Sequence, residues 1–409
     1  MADRGCRSCG EPGLLPFLDL GTTPLADALV DTDGLDRDEA RYPLRVAFCP
    51  HCTLVQILDE VDPQRLFVDN YLYFSSWSDR LLDHARQHAE RLIVERGLDR
   101  HSLVLEIGSN DGYLLRNFVD HGIPVLGLDP APGQALAANA AGVPTRAEFF
   151  GLDLARELVA SGHHADVIIA NNVLAHVPDL NGFVQGLAEL LAADGVITIE
   201  NPWVRDLVQR VAFDTIYHEH FSYFSTTAVR GLFRRHGLFL NDVEYFPDLH
   251  GGTLRWTIGR TDVTTSAARE VLADEVTSGV TEFAYYADFG RQVTDLRARL
   301  RALLQGLKAD GRRLAAYGAA AKGSTLLNYA GIGTEWIDFV VDRNPHKHGR
   351  FMPGVHVPIR PTEALLEEQP DDVVLLAWNF ADEIVAQQSE YRRRGGRFIV
   401  PVPEPAVLP

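Results

Sequence analysis

Runs of apolar residues along this chain switch between two spacings, and the order of the switches outlines its architecture. Residues 81–96 carry apolar positions at helical intervals. Beyond them, strand-length apolar runs at 103–107, 125–128, 167–170 and 196–200 alternate with helical patterns at 113–120, 133–141 and 180–191. A further helix is expected over 228–235, and a strand over 253–258 closes the unit after Gly251 and Gly252. Phe289, Val293, Leu296, Leu300, Leu303 and Leu307 then recur every three or four residues, which predicts a long packing helix. A second alternating unit starts near Arg313, with strands expected over 314–318, 337–342, 373–377 and 398–402 and helices over 324–330, 362–368 and 381–394. Strands alternating with helices call for parallel sheets wrapped by helices, so the fold class is α/β with two Rossmann-like units facing a cleft.

The expected divisions are an N-terminal module over 1–65, a central unit with a helical lead-in over 66–260, a helical connector over 261–310 and a C-terminal lobe over 311–409. Hydrophobic residues make up 46% of the chain, ample for packed cores, and the formal net charge is −18. That balance argues against nucleic acid as a partner, because phosphate binding needs concentrated Lys and Arg. No apolar run approaches a membrane span, and the opening MADRGCRSCG has no apolar leader, so a soluble, cytoplasmic protein is expected; a monomer is the expected oligomeric state.

All four cysteines fall in one pattern, Cys6 and Cys9 in CRSC and Cys49 and Cys52 in CPHC. Two such knuckles read as a tetrahedral thiolate site for Zn2+, the alternatives being a redox pair or separate buried thiols. Four thiolates leave no open coordination position. The metal is therefore expected to be structural, stapling a segment too small to hold its own core.

Two glycine loops stand between a strand and a helix. In LEIGSNDG, Gly108 and Gly112 permit close approach to a ligand, and Asn110 can take the left-handed conformation where another glycine might stand. Asp129 ends the next strand, where an acid takes ribose hydroxyls. Methyltransferases and NAD enzymes share such loops. Glu106 at the start, and no third glycine at dinucleotide spacing, favour S-adenosylmethionine, which has no pyrophosphate. The second loop, YGAAAKGST, is not a P-loop, since Lys322 precedes Gly323. Gly318 and Lys322 at a helix start can hold a diphosphate, and with Asp342 ending the next strand NAD is an alternative ligand; a plain tight turn is the third reading.

Chemistry concentrates in FDTIYHEHFSYFS, where Tyr217, His218, Glu219 and His220 adjoin. Imidazole can take a proton near neutrality, a carboxylate can orient it, and a phenol can hydrogen-bond an oxyanion. An aromatic core strand with solvated polar residues is the bland alternative. Zincin chemistry is excluded because one residue, not a helical turn, separates His218 from His220.

Taken in order, the paired knuckles, LEIGSNDG, NNVLAHVPD, YHEHFSYFS, LHGGTLR and YGAAAKGST make the whole chain resemble the nucleotide-sugar C-methyltransferases of deoxysugar antibiotic pathways. The resemblance implies a zinc module, a central S-adenosylmethionine domain and a C-terminal lobe that helps bind a sugar nucleotide. It implies methyl transfer to a carbon beside the ketone of a dTDP-linked 4-keto deoxysugar, at carbon 3 first and carbon 5 second. His220 then matches the family's base, Tyr217 a hydrogen-bond partner or proton relay, and Glu219 an orienting group. Tyr73 and His176 match further active-site positions. Phe149 and Asn171 join Glu106, Gly108, Asn110, Gly112 and Asp129 as expected cofactor contacts, and Asn172 joins Gly318 and Lys322 on the substrate side. An NAD-linked oxidoreductase and an RNA methyltransferase are the competing activities. His218 interrupts the motif where antibiotic-sugar members can carry an acid, which leaves its role open.

Overall fold

The computed structural model describes residues 5–68, 74–249 and 251–408. Three strands, β1 (Leu15–Pro24), β2 (Arg41–Phe48) and β3 (Val55–Ile57), pair antiparallel at the N-terminus. The helix Asp79–Arg96 follows, capped by the Ser78 side chain and ended by Gly97 in the left-handed region. Next come β4 (Val104–Ile107), β5 (Val125–Leu128), β6 (Thr145–Arg146), β7 (Ala165–Asn171), β8 (Leu191–Pro202), β9 (Ser222–Tyr223), β10 (Phe239–Phe246) and β11 (Thr253–Gly259). The last lobe adds β12 (Leu314–Tyr317), β13 (Val340–Asp342), β14 (Ile359–Pro361), β15 (Asp372–Leu375), β16 (Arg397–Val400) and β17 (Ala406–Val407).

These strands form a 7-stranded sheet ordered β10-β11-β8-β7-β4-β5-β6 and a 6-stranded sheet ordered β14-β13-β12-β15-β16-β17. Only β11 runs against its neighbours in the first, and only β17 in the second. Every residue of β4 and of β12 is buried, as expected of central parallel strands covered on both faces. In both sheets the chain order reverses beside the first strand, opening a crevice at the carboxyl ends of β4/β7 and of β12/β15.

The modules are less separate than the sequence implied. Strand β9, from the middle of the chain, pairs with β3 and completes a 4-stranded sheet with β1 and β2. One apolar core joins Leu18, Val46, Phe48 and Ile57 of that sheet, Phe289, Val293, Leu296, Leu300 and Leu304 of the helix Phe289–Ala309, and Leu314, Val340 and Val373 of the last sheet. Leu304, not Leu303, completes the buried stripe. Cys6 and Cys49 belong to a different core, with Leu105, Ile168, Leu187 and Phe233 of the central domain. The expected helix over 113–120 is helical only at Arg116–Val119, because 110–115 turn around the glycine loop, and the expected helix over 381–394 breaks at Gln388. A helix at Leu152–Ala160, whose Leu154, Ala155 and Leu158 face inward, and strand β10 were not anticipated.

Candidate active site

At the end of β4 the backbone bends through Gly108 (φ 66°), Asn110 (φ 50°) and Gly112 (φ 77°). A Cβ on Gly108 would stand 2.5 Å from Val173, and one on Gly112 2.9 Å from Val143, so glycine is required at both. Asp129 braces the bend, accepting from the Asn110 amide at 2.8 Å and the Ala131 amide at 2.9 Å. The Ser75 and Ser76 amides donate to the side chains of Asn110 and Asp111. Glu106 is 1% exposed, and neither carboxylate oxygen has a hydrogen-bond partner among the described residues. Burial, with Asp129, Asp111 and Glu200 nearby, pushes its carboxyl well above the usual range. Asn171 Oδ1 is buried with no partner among those residues either, and Asn172 (φ 56°) donates its amide to the Glu200 carbonyl at 2.7 Å. Buried acceptors beside carboxyls suit a ligand rich in donors and positive charge, and the sulfonium, ammonium and ribose hydroxyls of S-adenosylmethionine fit that demand. Phe149 is 40% exposed, while its neighbour Phe150 turns inward onto Phe183.

His220 and His176 meet although 220 lies in the excursion after β8 and 176 in the turn after β7: their ring centroids are 4.8 Å apart. The Tyr217 ring lies 4.1 Å from that of His220. Each imidazole spends one nitrogen on a carbonyl, His220 Nδ1 on Thr215 O and His176 Nδ1 on Glu219 O, both at 2.8 Å. A carbonyl only accepts, so both Nδ1 atoms carry the proton and both Nε2 atoms keep a lone pair. Burial lowers His220 to about 4, and burial together with His220 lowers His176 to about 3. Both are neutral bases at pH 7. Glu219 is buried and pushed well above the usual carboxyl range, first by burial, then by Asp27, against the pull of Lys347. Tyr73 lies outside the described residues.

His218 points the other way. Buried at 1% exposure, it donates from Nε2 to the Pro43 carbonyl at 3.1 Å and sets its ring edge-on to Tyr42. It pins the loop to β2 and takes no part in the His220 cluster.

The C-terminal lobe presents its own loop to the same segment. Gly318 (φ 98°) has no room for a Cβ, which would sit 2.9 Å from Ala377. Lys322, near the start of the helix Ala321–Ala330, donates to Asn379 Oδ1 and lies 4.7 Å over the Trp378 ring. Burial lowers it to about 8, with Asp214 pulling the other way. Asp342 accepts from the Ala319 and Asn344 amides at 2.7 and 2.8 Å, and Lys347 donates to the Ala319 carbonyl at 2.7 Å. Asp214, Asp27 and Lys347 escaped the sequence reading. Asp214 alone had a signal there, as the one carboxylate just upstream of the YHEH cluster.

The four cysteine sulfurs lie within 4.8 Å of one another. Hydrogen bonding from Cys52 holds the Cys6 thiol low; the same bond, then burial, pushes Cys52 up, and burial, then the Cys6 sulfur, pushes Cys49 up, so the neighbouring sulfurs resist sharing negative charge. A dication removes that conflict, and a tetrahedral Zn2+ suits the donor set.

The fold and site together define an S-adenosylmethionine-dependent methyltransferase with a structural Zn2+ site. Family models match in three consecutive stretches: "Putative zinc binding domain" over residues 6–67, "Methyltransferase domain" over 79–241 and "C-methyltransferase C-terminal domain" over 248–403. The C-methyltransferase NovU of Streptomyces niveus is 36% identical over 406 residues, covering 98% of this chain and 96% of its own length. A ubiquinone biosynthesis O-methyltransferase of Azorhizobium caulinodans is 30% identical over 125 residues, 30% of this chain and 47% of that protein. Among solved structures, magnesium protoporphyrin IX methyltransferase from Synechocystis PCC 6803 matches 48% of this chain and 92% of its own at 15% identity, with a TM-score of 0.36. The chain belongs to the C-methyltransferase family that includes NovU. Among the described residues, no helix is long and apolar enough to cross a membrane.

Proposed function

We propose that the chain methylates the carbon beside the ketone of a 4-keto deoxysugar carried on a nucleoside diphosphate such as dTDP, at carbon 3 in the first instance and carbon 5 as the alternative. The observation that carries this reading is the neutral His220, whose Nδ1 proton is committed to Thr215 and whose Nε2 lone pair is left for substrate. Carbon becomes nucleophilic once the acidic proton next to a ketone is removed, and a fixed imidazole is suited to take it. Tyr217, its ring tilted 33° against that of His220, serves as hydrogen-bond partner of the developing enolate oxygen, and His176 closes the other side. Glu219 orients the site: its carbonyl fixes the His176 tautomer, and its carboxyl faces Asp27 and Lys347. Tyr73 is assigned to the same pocket on its sequence motif alone.

Bound S-adenosylmethionine supplies the electrophilic methyl group. Glu106 and Asn171 would offer acceptors to it, Gly108, Asn110 and Gly112 in the loop braced by Asp129 would allow its close approach, and Phe149 would contact it. On the other side Gly318 and Lys322 receive the diphosphate and Asn172 the sugar, Lys322 supplying the positive charge a diphosphate requires. Incubation with S-adenosylmethionine and a panel of 4-keto sugar nucleotides, followed by mass and NMR analysis, tests the reading. The expected product carries a new carbon-bound methyl beside the ketone. Methyl on oxygen or nitrogen, or no transfer to any panel member, rejects it.

A further inference from the structure

Asp214 is fully buried, at 0% exposure, beneath the C-terminal lobe. Its Oδ2 accepts the indole N–H of Trp378 at 2.6 Å, across 164 residues of chain. Phe213, one residue earlier, packs its ring 5.2 Å from Tyr329 of the same lobe. Residues Phe213–Thr215 form a single 3-10 turn, closed by a bond from the Ile216 amide to the Phe213 carbonyl at 3.0 Å. A turn this short has little rigidity of its own. Its last carbonyl, Thr215 O, is the acceptor for the His220 Nδ1 proton. Imidazole side chains in water prefer the proton on Nε2, so holding it on Nδ1 requires an acceptor that stays in place.

We propose that Asp214 is a positioning residue for His220: its bond to Trp378 pins the 213–215 turn to the C-terminal lobe, so that the Thr215 carbonyl selects the tautomer with the lone pair on Nε2. The inference rests on His220 being the base. The same indole carries Lys322 on its face. The end of the cleft that receives the anion and the end that removes the proton therefore share one joint.

The tautomer can be read without substrate, by 15N NMR of the zinc-loaded, full-length protein labelled at histidine, with the His220 signals identified by their loss in His220→Asn. Wild type is expected to show a protonated Nδ1 and an unprotonated Nε2. Trp378→Phe keeps a ring under Lys322 and removes the N–H; it should mix the tautomers and lower kcat about tenfold while KM and S-adenosylmethionine binding hold. Asp214→Ala should mix the tautomers likewise but, because it also removes the charge that keeps Lys322 protonated, should raise KM for the sugar nucleotide as well; Asp214→Asn, which retains an acceptor for the indole, should recover the wild-type tautomer. A purely structural role would lower the melting temperature of these variants and leave the tautomer of the folded protein alone. Wild-type His220 signals in folded Trp378→Phe overturn the proposal, and that variant decides the matter if Asp214→Ala does not fold. A wild-type protein with the expected tautomer that methylates no 4-keto sugar nucleotide rejects the substrate reading and leaves the positioning role standing.

Discussion

The central domain and the C-terminal lobe open with the same backbone device. Strands β4 and β12, both fully buried, end in Gly108 and Gly318 at positive φ, and the missing Cβ makes room for Val173 in one and Ala377 in the other. The aspartate ending the second strand accepts one loop amide and the amide two residues on, Asp129 from Asn110 and Ala131, Asp342 from Ala319 and Asn344. The side chains differ in sign. Glu106, Asp111 and Asn171 give the central crevice buried acceptors, whereas the C-terminal loop sets Lys322 at its helix start. The backbone device makes room for a ligand in each lobe; under the proposed function, the side chains around it suit a cation in one lobe and an anion in the other.

The N-terminal sheet joins the two lobes: its core is continuous with the C-terminal lobe, and its cysteines pack on the central domain. Its removal should have the largest effect. Structural Zn2+ sites contribute roughly 10 kcal/mol or more to small zinc domains, so Cys49→Ser should lose the metal, unfold the module and abolish activity. Metal analysis with thermal unfolding checks this; a folded, active, zinc-free variant would break the account of the module.

Exchanging charge in either lobe sharpens the contrast. Glu106→Gln should weaken S-adenosylmethionine roughly 10- to 100-fold, the worth of one hydrogen bond to a charged group, and should raise the melting temperature of the ligand-free protein by removing a desolvated carboxyl. Lys322→Met should raise KM for the sugar nucleotide about tenfold and leave cofactor binding unchanged. Calorimetry with each ligand separates the two, and crossed effects would end the division of labour.

The smallest effect concerns pH. His220 and His176, at about 4 and about 3, lie below the ordinary value of 6.5, so the unfolded chain binds protons that the folded one refuses. Each therefore removes stability as pH falls below 6.5, by roughly 1.4 kcal/mol per unit until its folded value is reached. Glu106 and Glu219, raised by burial, act in the opposite sense, so the informative quantity is the difference between variants. Denaturation at pH 7 and pH 5 should show a smaller acid loss in His176→Asn than in wild type; equal losses would deny the burial of that imidazole.

Local chemistry was legible in the sequence, and long-range placement was not. Gly108, Asn110 and Gly112 announced their positive φ through residue type, and the cysteine pairs announced their cluster through spacing. The YHEH segment was legible as a polar cluster, yet nothing local told His218 from His220. The difference comes from what each meets in space, Pro43 for one and Thr215 with His176 for the other. Asp214 bonds to Trp378 and β9 pairs with β3 across distances that no periodicity encodes. Leu303 and Leu304 both satisfy a helical stripe, and only packing against the neighbouring sheets chose Leu304.

The most direct test of His220 as the base is deuterium exchange into the substrate without any methyl donor. In D2O, wild-type protein given a 4-keto sugar nucleotide should replace the proton beside the ketone with deuterium, whereas His220→Asn should bind the same compound and exchange it at least about a hundredfold more slowly. Equal exchange by both proteins would contradict the account.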